Sequence, residues 1–306
     1  MRPAPASVQS RPQTERMVIV RPERYTFRLM VDCIDRLAGL LQRFGLRARV
    51  LHGGSLHGAL PVEQSPGLAL LLIVRDGAVE LSGGDGRVHR VVGPEVMFQP
   101  RALPQSIIAG EQGAQIVCAA IDFGSGEQNP LIRGMPDRMI VPLTQLSALD
   151  ATVDVLFAEA VARRCGHATV VDRLAEVAFV QLMRHAVEVR LVDGGVLAGL
   201  ADARLARALT AMHEDPARNW SLASLAVTAG MSRSRFAARF AEVVGVPAME
   251  YLVHWRVGVA QGLLRRGRPA KVVALEVGYG RSSSFGRAFA QVVGATPMSW
   301  LRGMER

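Results

Sequence analysis

The chain has 306 residues, 49% hydrophobic and 21% charged, with a formal net charge of +9. That length allows two domains with separate cores. Its three cysteines, Cys33, Cys118 and Cys165, are widely spaced with no Cys-x-x-Cys pair, which excludes a disulfide framework and a zinc signature.

The N-terminal stretch has arginines and prolines but no apolar core or cleavage site, so no signal peptide is expected. Residues 1–27, rich in Pro, Arg, Ser and Gln, predict a mobile tail. From Val31 to Phe44, apolar residues at Ile34, Leu37, Leu40, Leu41 and Phe44 have the spacing of an amphipathic helix. Between Arg49 and Phe123, short apolar runs alternate with turn clusters such as His52-Gly53-Gly54, Gly93-Pro94 and Gly110 to Gly113. This texture predicts a small antiparallel barrel or sandwich. Asp76-Gly77, between Leu70–Val74 and Ala78–Leu81, predicts a hairpin turn. The longest aliphatic run, Leu68 to Val74, is too short to cross a bilayer. A soluble, cytoplasmic protein without a membrane partner is therefore expected.

The helical period returns from Leu143 to Arg190. Leu149, Val153, Leu156, Phe157, Ala160 and Val161 form one stripe; Leu174, Val177, Ala178, Gln181, Leu182 and His185 form another. These predict a helical hairpin whose apolar faces serve either the subunit core or a homodimer interface. Asp193-Gly194-Gly195 is the expected interdomain joint.

Helices are then predicted over Ala201–His213, Leu222–Ala229, Ser232–Val244, Pro247–Arg266, Pro269–Val277, Ser282–Val293 and Met298–Met304. Within them the chain repeats itself. Arg235-Phe-Ala-Ala-Arg-Phe-Ala-Glu-Val-Val-Gly245 returns as Ser284-Phe-Gly-Arg-Ala-Phe-Ala-Gln-Val-Val-Gly294. Each copy follows an apolar helical run broken at Gly230 or Gly278, and Ser232 and Ser282 are placed to cap the next helix. A helix, a glycine turn and a second helix with a polar leading edge make a helix-turn-helix, and two in tandem point to double-stranded DNA as partner. The charge agrees. Residues 200–306 hold 15 Lys+Arg against 7 Asp+Glu, whereas residues 1–199 hold 21 against 20.

Helical geometry separates core from candidate contacts. Phe236 and Phe240, like Phe285 and Phe289, are four apart and face their unit's core. The exposed candidates are Arg233, Ser234, Arg235, Ala237, Ala238 and Arg239 on the first reading helix, and Arg281, Ser283, Ser284 and Arg287 on the second. Ala237 and Ala238 can touch a thymine methyl but cannot hydrogen-bond a base edge. The joining helix, at 1.5 Å per residue, spans about 27–30 Å, close to the ~34 Å between successive major-groove faces.

Over roughly its last hundred residues the sequence resembles the AraC/XylS family of transcriptional regulators. The resemblance is carried by Trp220-Ser-Leu-Ala-Ser-Leu-Ala, Met231-Ser-Arg-Ser-Arg-Phe, Val277-Gly-Tyr279, Phe285, Arg287-Ala-Phe289 and Val-Val-Gly-Ala-Thr-Pro297. It implies a DNA-reading head with two helix-turn-helix units on one long helix, and RNA polymerase as a further partner. The positions matching the family's base-contacting sites are Ser234, Ala237 and Ala238, then Ser283, Ser284 and Arg287.

Residues 49–123 resemble the cupin-type barrel that often precedes this DNA-binding domain. That likeness rests on His52-Gly-Gly54, the Leu68–Val74 strand with Gly77, and Gly93-x6-Pro100-Arg-Ala. The metal-binding cupin pattern is broken: Pro94 stands in place of the usual Asp and Gln105 in place of a histidine. His52, His57 and His89 show no paired ligand spacing, so no metal or cofactor is expected. Cys118, in an apolar strand, predicts a buried inert thiol. The acidic neighbours of Cys33 oppose thiolate formation, and Cys165 after Arg163-Arg164 is the candidate redox thiol.

The expected architecture is α+β: tail 1–27, cupin-like sensor 28–125, helical connector 126–196 and tandem helix-turn-helix domain 197–306. The expected function is that of a sequence-specific, effector-controlled activator, its effector a small molecule or an oxidant. The alternative is a metal-dependent cupin-type enzyme with an appended DNA-binding domain.

Overall fold

A computed structural model describes residues 17–19, 35–63, 67–83, 88–101, 105–123, 131–132 and 135–304. Cys33 and residues 31–34 of the expected first helix lie outside them. So does the stretch 1–27, except for Met17–Ile19.

The N-terminal part is an eight-stranded sheet: β1 (Met17–Ile19), β2 (Arg47–Leu56), β3 (Ala59–Val62), β4 (Leu68–Gly83), β5 (Val88–Val92), β6 (Glu95–Gln99), β7 (Gln105–Asp122) and β8 (Arg138–Pro142). The order is β1-β8-β6-β4-β7-β2, with β3 also on β7 and β5 on β4. Every pairing is antiparallel except β1 with β8. Within the expected tail, Met17–Ile19 form β1 and pair with Arg138–Ile140.

The period of two along a strand sorts side chains into two cores. Leu70, Leu72 and Val74 of β4, with Ile116 and Cys118 of β7, join an interior lined by strands alone. Ala69, Leu71 and Ile73, with Val117, Ala119 and Ile121, point the other way, beneath the helices. Both faces of the central strands are therefore covered, which is why Leu68–Val74 is an unbroken apolar run.

Asp76-Gly77 is not the expected hairpin turn. β4 runs through it, placing Asp76 opposite Gln115 and Gly77 opposite Ala114. The register shifts on either side, so the pair is a bulge that bends a long strand. Gly77 has φ +79°, and a Cβ there would lie 2.6 Å from the Gly113 carbonyl oxygen. Gly110 to Gly113 likewise fall inside β7.

Helices α2 (Ser147–Ala162) and α3 (His167–Glu188), preceded by α1 (Ala38–Phe44), form the expected hairpin and pack on β2. The buried face of α2 is the expected stripe, with Leu149, Val153, Leu156, Phe157 and Ala160 inside and only Val161 exposed. That of α3 is rotated from its stripe: Val177 is exposed, while Val171, Ala175, Phe179 and Met183 are buried. Phe179 explains the rotation, because its ring lies 5.2 Å from that of Phe98 and 5.3 Å from that of Phe123. The helix also serves the sheet edge: Asp172 Oδ1 accepts from Val50 N at 2.7 Å and Glu176 Oε1 from Ala48 N at 3.2 Å. These carboxylates satisfy backbone donors that an edge strand would otherwise present to solvent.

The remaining helices are α4 (Gly195–Ala201), α5 (Ala203–Glu214), α6 (Leu222–Thr228), α7 (Arg233–Val244), α8 (Ala248–Arg265), α9 (Ala270–Glu276), α10 (Ser282–Val293) and α11 (Pro297–Met304). The expectation of separate cores is corrected. Buried apolar contacts run without a break from the outer face of the sheet to these helices. The Asp193-Gly194-Gly195 joint is flanked by buried Leu191, Val192, Val196 and Leu197, so it is a packed corner. Leu37 and Leu40 extend the contact through α1, which packs on α5 and α8. Arg36 Nη1 donates to the Leu200 carbonyl at 2.9 Å. A Cβ on Gly39 would stand 3.1 Å from that of His213, so the absent side chain permits this close approach.

Candidate nucleic-acid interface

The two helix-turn-helix units are built alike. In the first, Ser221 caps α6 in a reciprocal capping box with Ser224. The turn after α6 is made at Gly230, φ +63°, and Met231 N reaches back to the Ala226 carbonyl at 2.9 Å. In the second, the turn after α9 is made at Gly278, φ +88°, and Tyr279 N reaches the Ala274 carbonyl at 2.8 Å. Both turns satisfy helix-end carbonyls through a left-handed glycine. Ser232 caps α7, accepting from Arg235 N, but Ser282 does not cap α10. It is already the first helical residue, and Arg281 occupies the cap without a side-chain bond.

Aromatic pairs fill each unit as the spacing requires. Phe236, Phe240 and Phe289 are fully buried and Phe285 nearly so. Phe240 meets Phe236 and Tyr251, and Phe289 meets Phe285 and Trp300, with ring centroids 5.6–5.7 Å apart. Turning these faces inward leaves the opposite faces of α7 and α10 to solvent. Arg233, Ser234, Arg235, Ala238 and Arg239 are exposed on the first; Arg281, Ser283 and Arg287 are exposed on the second, while Ala237 and Ser284 are half-buried.

Arg239 differs from the other arginines. It donates to Asp202 at 3.2 Å and to Glu242 at 3.2 Å. Burial pushes the Asp202 carboxyl upward, but the Leu205 and Arg204 amides and the Arg239 guanidinium outweigh it and hold the group below its ordinary range. A guanidinium between two carboxylates presents little net positive field to a phosphate. Among the described residues, no salt bridge engages Arg233, Arg235, Arg281 or Arg287.

Arg256, at the middle of α8, belongs to none of the sequence motifs. Its Nε donates to the Pro216 carbonyl at 2.8 Å and its Nη2 to the Arg218 carbonyl at 2.9 Å. Its guanidinium carbon lies 5.5 Å from the Tyr279 ring centroid. Burial lowers its pKa and raises that of Tyr279. No local periodicity marks a residue whose partners are 40 and 38 positions away.

The sheet holds a second feature. A cleft of about 620 Å³ is lined by Arg47, Arg49, Leu51, Leu60, Val62 and Asp122, among others. Among the described residues, no group of three His, Cys, Asp or Glu side chains could hold a metal ion. Cys118 is fully buried and its thiol is pushed up to about 12 by burial. Cys165 is exposed on the turn between α2 and α3. No described helix is long and apolar enough to cross a membrane.

Known proteins share both parts of this arrangement. The family model described as Cupin matches residues 35–188, and the one described as Helix-turn-helix domain matches residues 225–303. A protein named as an AraC-like transcription regulator in Streptomyces lividans is 36% identical over 186 residues, covering 60% of this chain and 61% of the relative. The match thus spans about three-fifths of that relative's length. An uncharacterized HTH-type transcriptional regulator of Haemophilus influenzae is 26% identical over 301 residues, 90% of this chain and 100% of its own. Among solved structures, ToxT of Vibrio cholerae is 14% identical with a TM-score of 0.38, covering 84% of this chain and 94% of that one. With a cupin domain over residues 35–188 followed by a helix-turn-helix domain, the chain belongs to the AraC/XylS family of transcriptional regulators.

Proposed function

We propose that the protein binds double-stranded DNA sequence-specifically and regulates transcription as an effector-controlled activator. The observation that carries this reading is the doubled unit. Two helices, α7 and α10, bury matching phenylalanines and turn exposed arginines outward at opposite ends of one joining helix. Phosphates attract Arg233, Arg235 and Arg281, while Ser234, Ser283, Ser284 and Arg287 reach base edges. Residues 197–306 supply the reading head, 28–125 the sensor and 126–196 a connector that also serves a homodimer. RNA polymerase is the downstream partner in the cytoplasm. The cleft beside Arg47 and Arg49 is the place for a small effector, and exposed Cys165 is the thiol an oxidant would reach. The chain has no catalytic role in this reading.

Genome-wide mapping of bound DNA, followed by binding of the full chain to the recovered site across a salt series, tests it. The logarithm of affinity should fall linearly with that of salt concentration as counterions are released. A folded, monodisperse chain with no salt-sensitive preference for the mapped site would overturn the reading.

A further inference from the structure

The two units are tied to each other as well as to α8. The loop between α5 and α6 belongs to the first unit, and the turn at Gly278 belongs to the second. A Cβ on Gly278 would lie 2.8 Å from the Ala217 carbonyl oxygen and 2.9 Å from both Ala217 Cα and Arg256 Nη2. Loop and turn are therefore in direct contact, with Arg256 between them. The loop itself is braced: Trp220 Nε1 donates to the Asp215 carbonyl at 2.8 Å, and Arg218 lies 4.2 Å over the Trp220 ring. On the other side, Tyr279 packs on Phe285 at 5.7 Å, and Phe285 belongs to the second reading helix. A chain of contacts thus runs from the Pro216–Arg218 loop through Arg256 and Tyr279 to α10.

We propose that Arg256 is a positioning residue that locks the angle and separation of α7 and α10, and so determines the half-site spacing this regulator accepts. The inference rests on the DNA-binding reading above. Helix α8 has 18 residues and sets the separation coarsely, at about 27 Å. It does not by itself prevent each unit from pivoting about its attachment. Arginine suits the tie because one planar group donates through Nε and Nη2 to two carbonyls while its face meets an aromatic ring. Lysine, a point charge on a flexible stem, cannot reproduce that fork.

The test uses the full chain as wild type, Arg256→Ala, Arg256→Lys and Tyr279→Leu. The probes are duplexes carrying the wild-type site with its half-sites moved by −1, 0, +1 and +2 base pairs. One base pair displaces the second half-site by about 3.4 Å, so wild type should lose about tenfold, as for one bidentate base contact. Arg256→Ala should bind the best site more weakly yet discriminate among spacings by less than about threefold, with Arg256→Lys intermediate. Should Arg256→Ala lose helicity, Arg256→Lys and Tyr279→Leu decide the matter by the same readout. Unchanged spacing discrimination in the folded variants would overturn the proposal. So would a uniform loss across all duplexes with a salt slope lower by about one, which marks a phosphate contact. Either result leaves the DNA-binding reading standing, whereas that reading fails if wild type itself binds no duplex with salt sensitivity. A wild type indifferent to spacing would also overturn the positioning role.

Discussion

His213 of α5 lies flat against Trp255 of α8, with ring centroids 3.9 Å apart and planes 25° apart, and its Nε2 is 2.6 Å from the Tyr251 hydroxyl. The imidazole is fully buried, and burial lowers its pKa to about 3. An unfolded histidine titrates near 6.5. Between those values the unfolded state binds a proton that the folded state refuses. This contribution to stability is complete above about pH 6.5 and declines as pH falls toward 3, by up to about 1.4 kcal/mol per pH unit. His185, also lowered by burial, acts in the same direction. His213→Phe should lower stability at pH 7.5, because the Tyr251 hydroxyl loses its partner, yet weaken the decline between pH 7.5 and 5. Urea midpoints at the two pH values are the measurement. An unchanged decline would mean that His213 is not held neutral.

Gly77→Ala should destabilise the sheet by about 2 kcal/mol or more, combining a left-handed backbone that L-residues resist with overpacking. The added methyl meets the Gly113 carbonyl across the bulge. Thermal melts of the two chains decide it, and equal melting temperatures would show that the strand does not bend there.

Phe240→Ala and Phe289→Ala should each cost about 3–5 kcal/mol, the range for emptying a fully buried aromatic site. Both rings have no exposed surface. Loss of DNA binding should accompany a lower denaturant midpoint. Wild-type stability in both variants would show that the faces of α7 and α10 are misassigned.

Arg287 follows Phe285 by two positions, about 200° around the helix, and is exposed while Phe285 is buried. Arg287→Ala should flatten preference at one or two adjacent base pairs, since a bidentate arginine–guanine contact is worth roughly 1–3 kcal/mol. Arg233→Ala and Arg235→Ala should weaken all sequences nearly equally and lower the salt slope. Arg239→Ala should change the slope less than these, because Asp202 and Glu242 already neutralise it. Binding to single-base site variants at two salt concentrations separates these roles. A uniform loss for Arg287→Ala would make it a phosphate clamp.

By itself, the sequence determined the features written in local spacing. Phenylalanines four apart, left-handed glycines after apolar helices and arginines opposite the buried face are settled within one or two turns of chain, so the repeat alone located both units and their exposed edges. The tertiary structure decided whatever depends on distant partners. Asp76-Gly77 has the composition of a hairpin turn, and only pairing with Gln115 and Ala114 makes it a bulge inside one strand. The burial of α3 turns on Phe179 meeting Phe98 and Phe123, which are remote in sequence. Arg239 looks like its neighbours until Asp202, 37 residues away, draws it into an ion pair. His213 and Arg256 find their partners 38 to 40 residues along the chain. Periodicity specifies which face of a helix is apolar, but the identity of the group that covers it is a property of the packed chain.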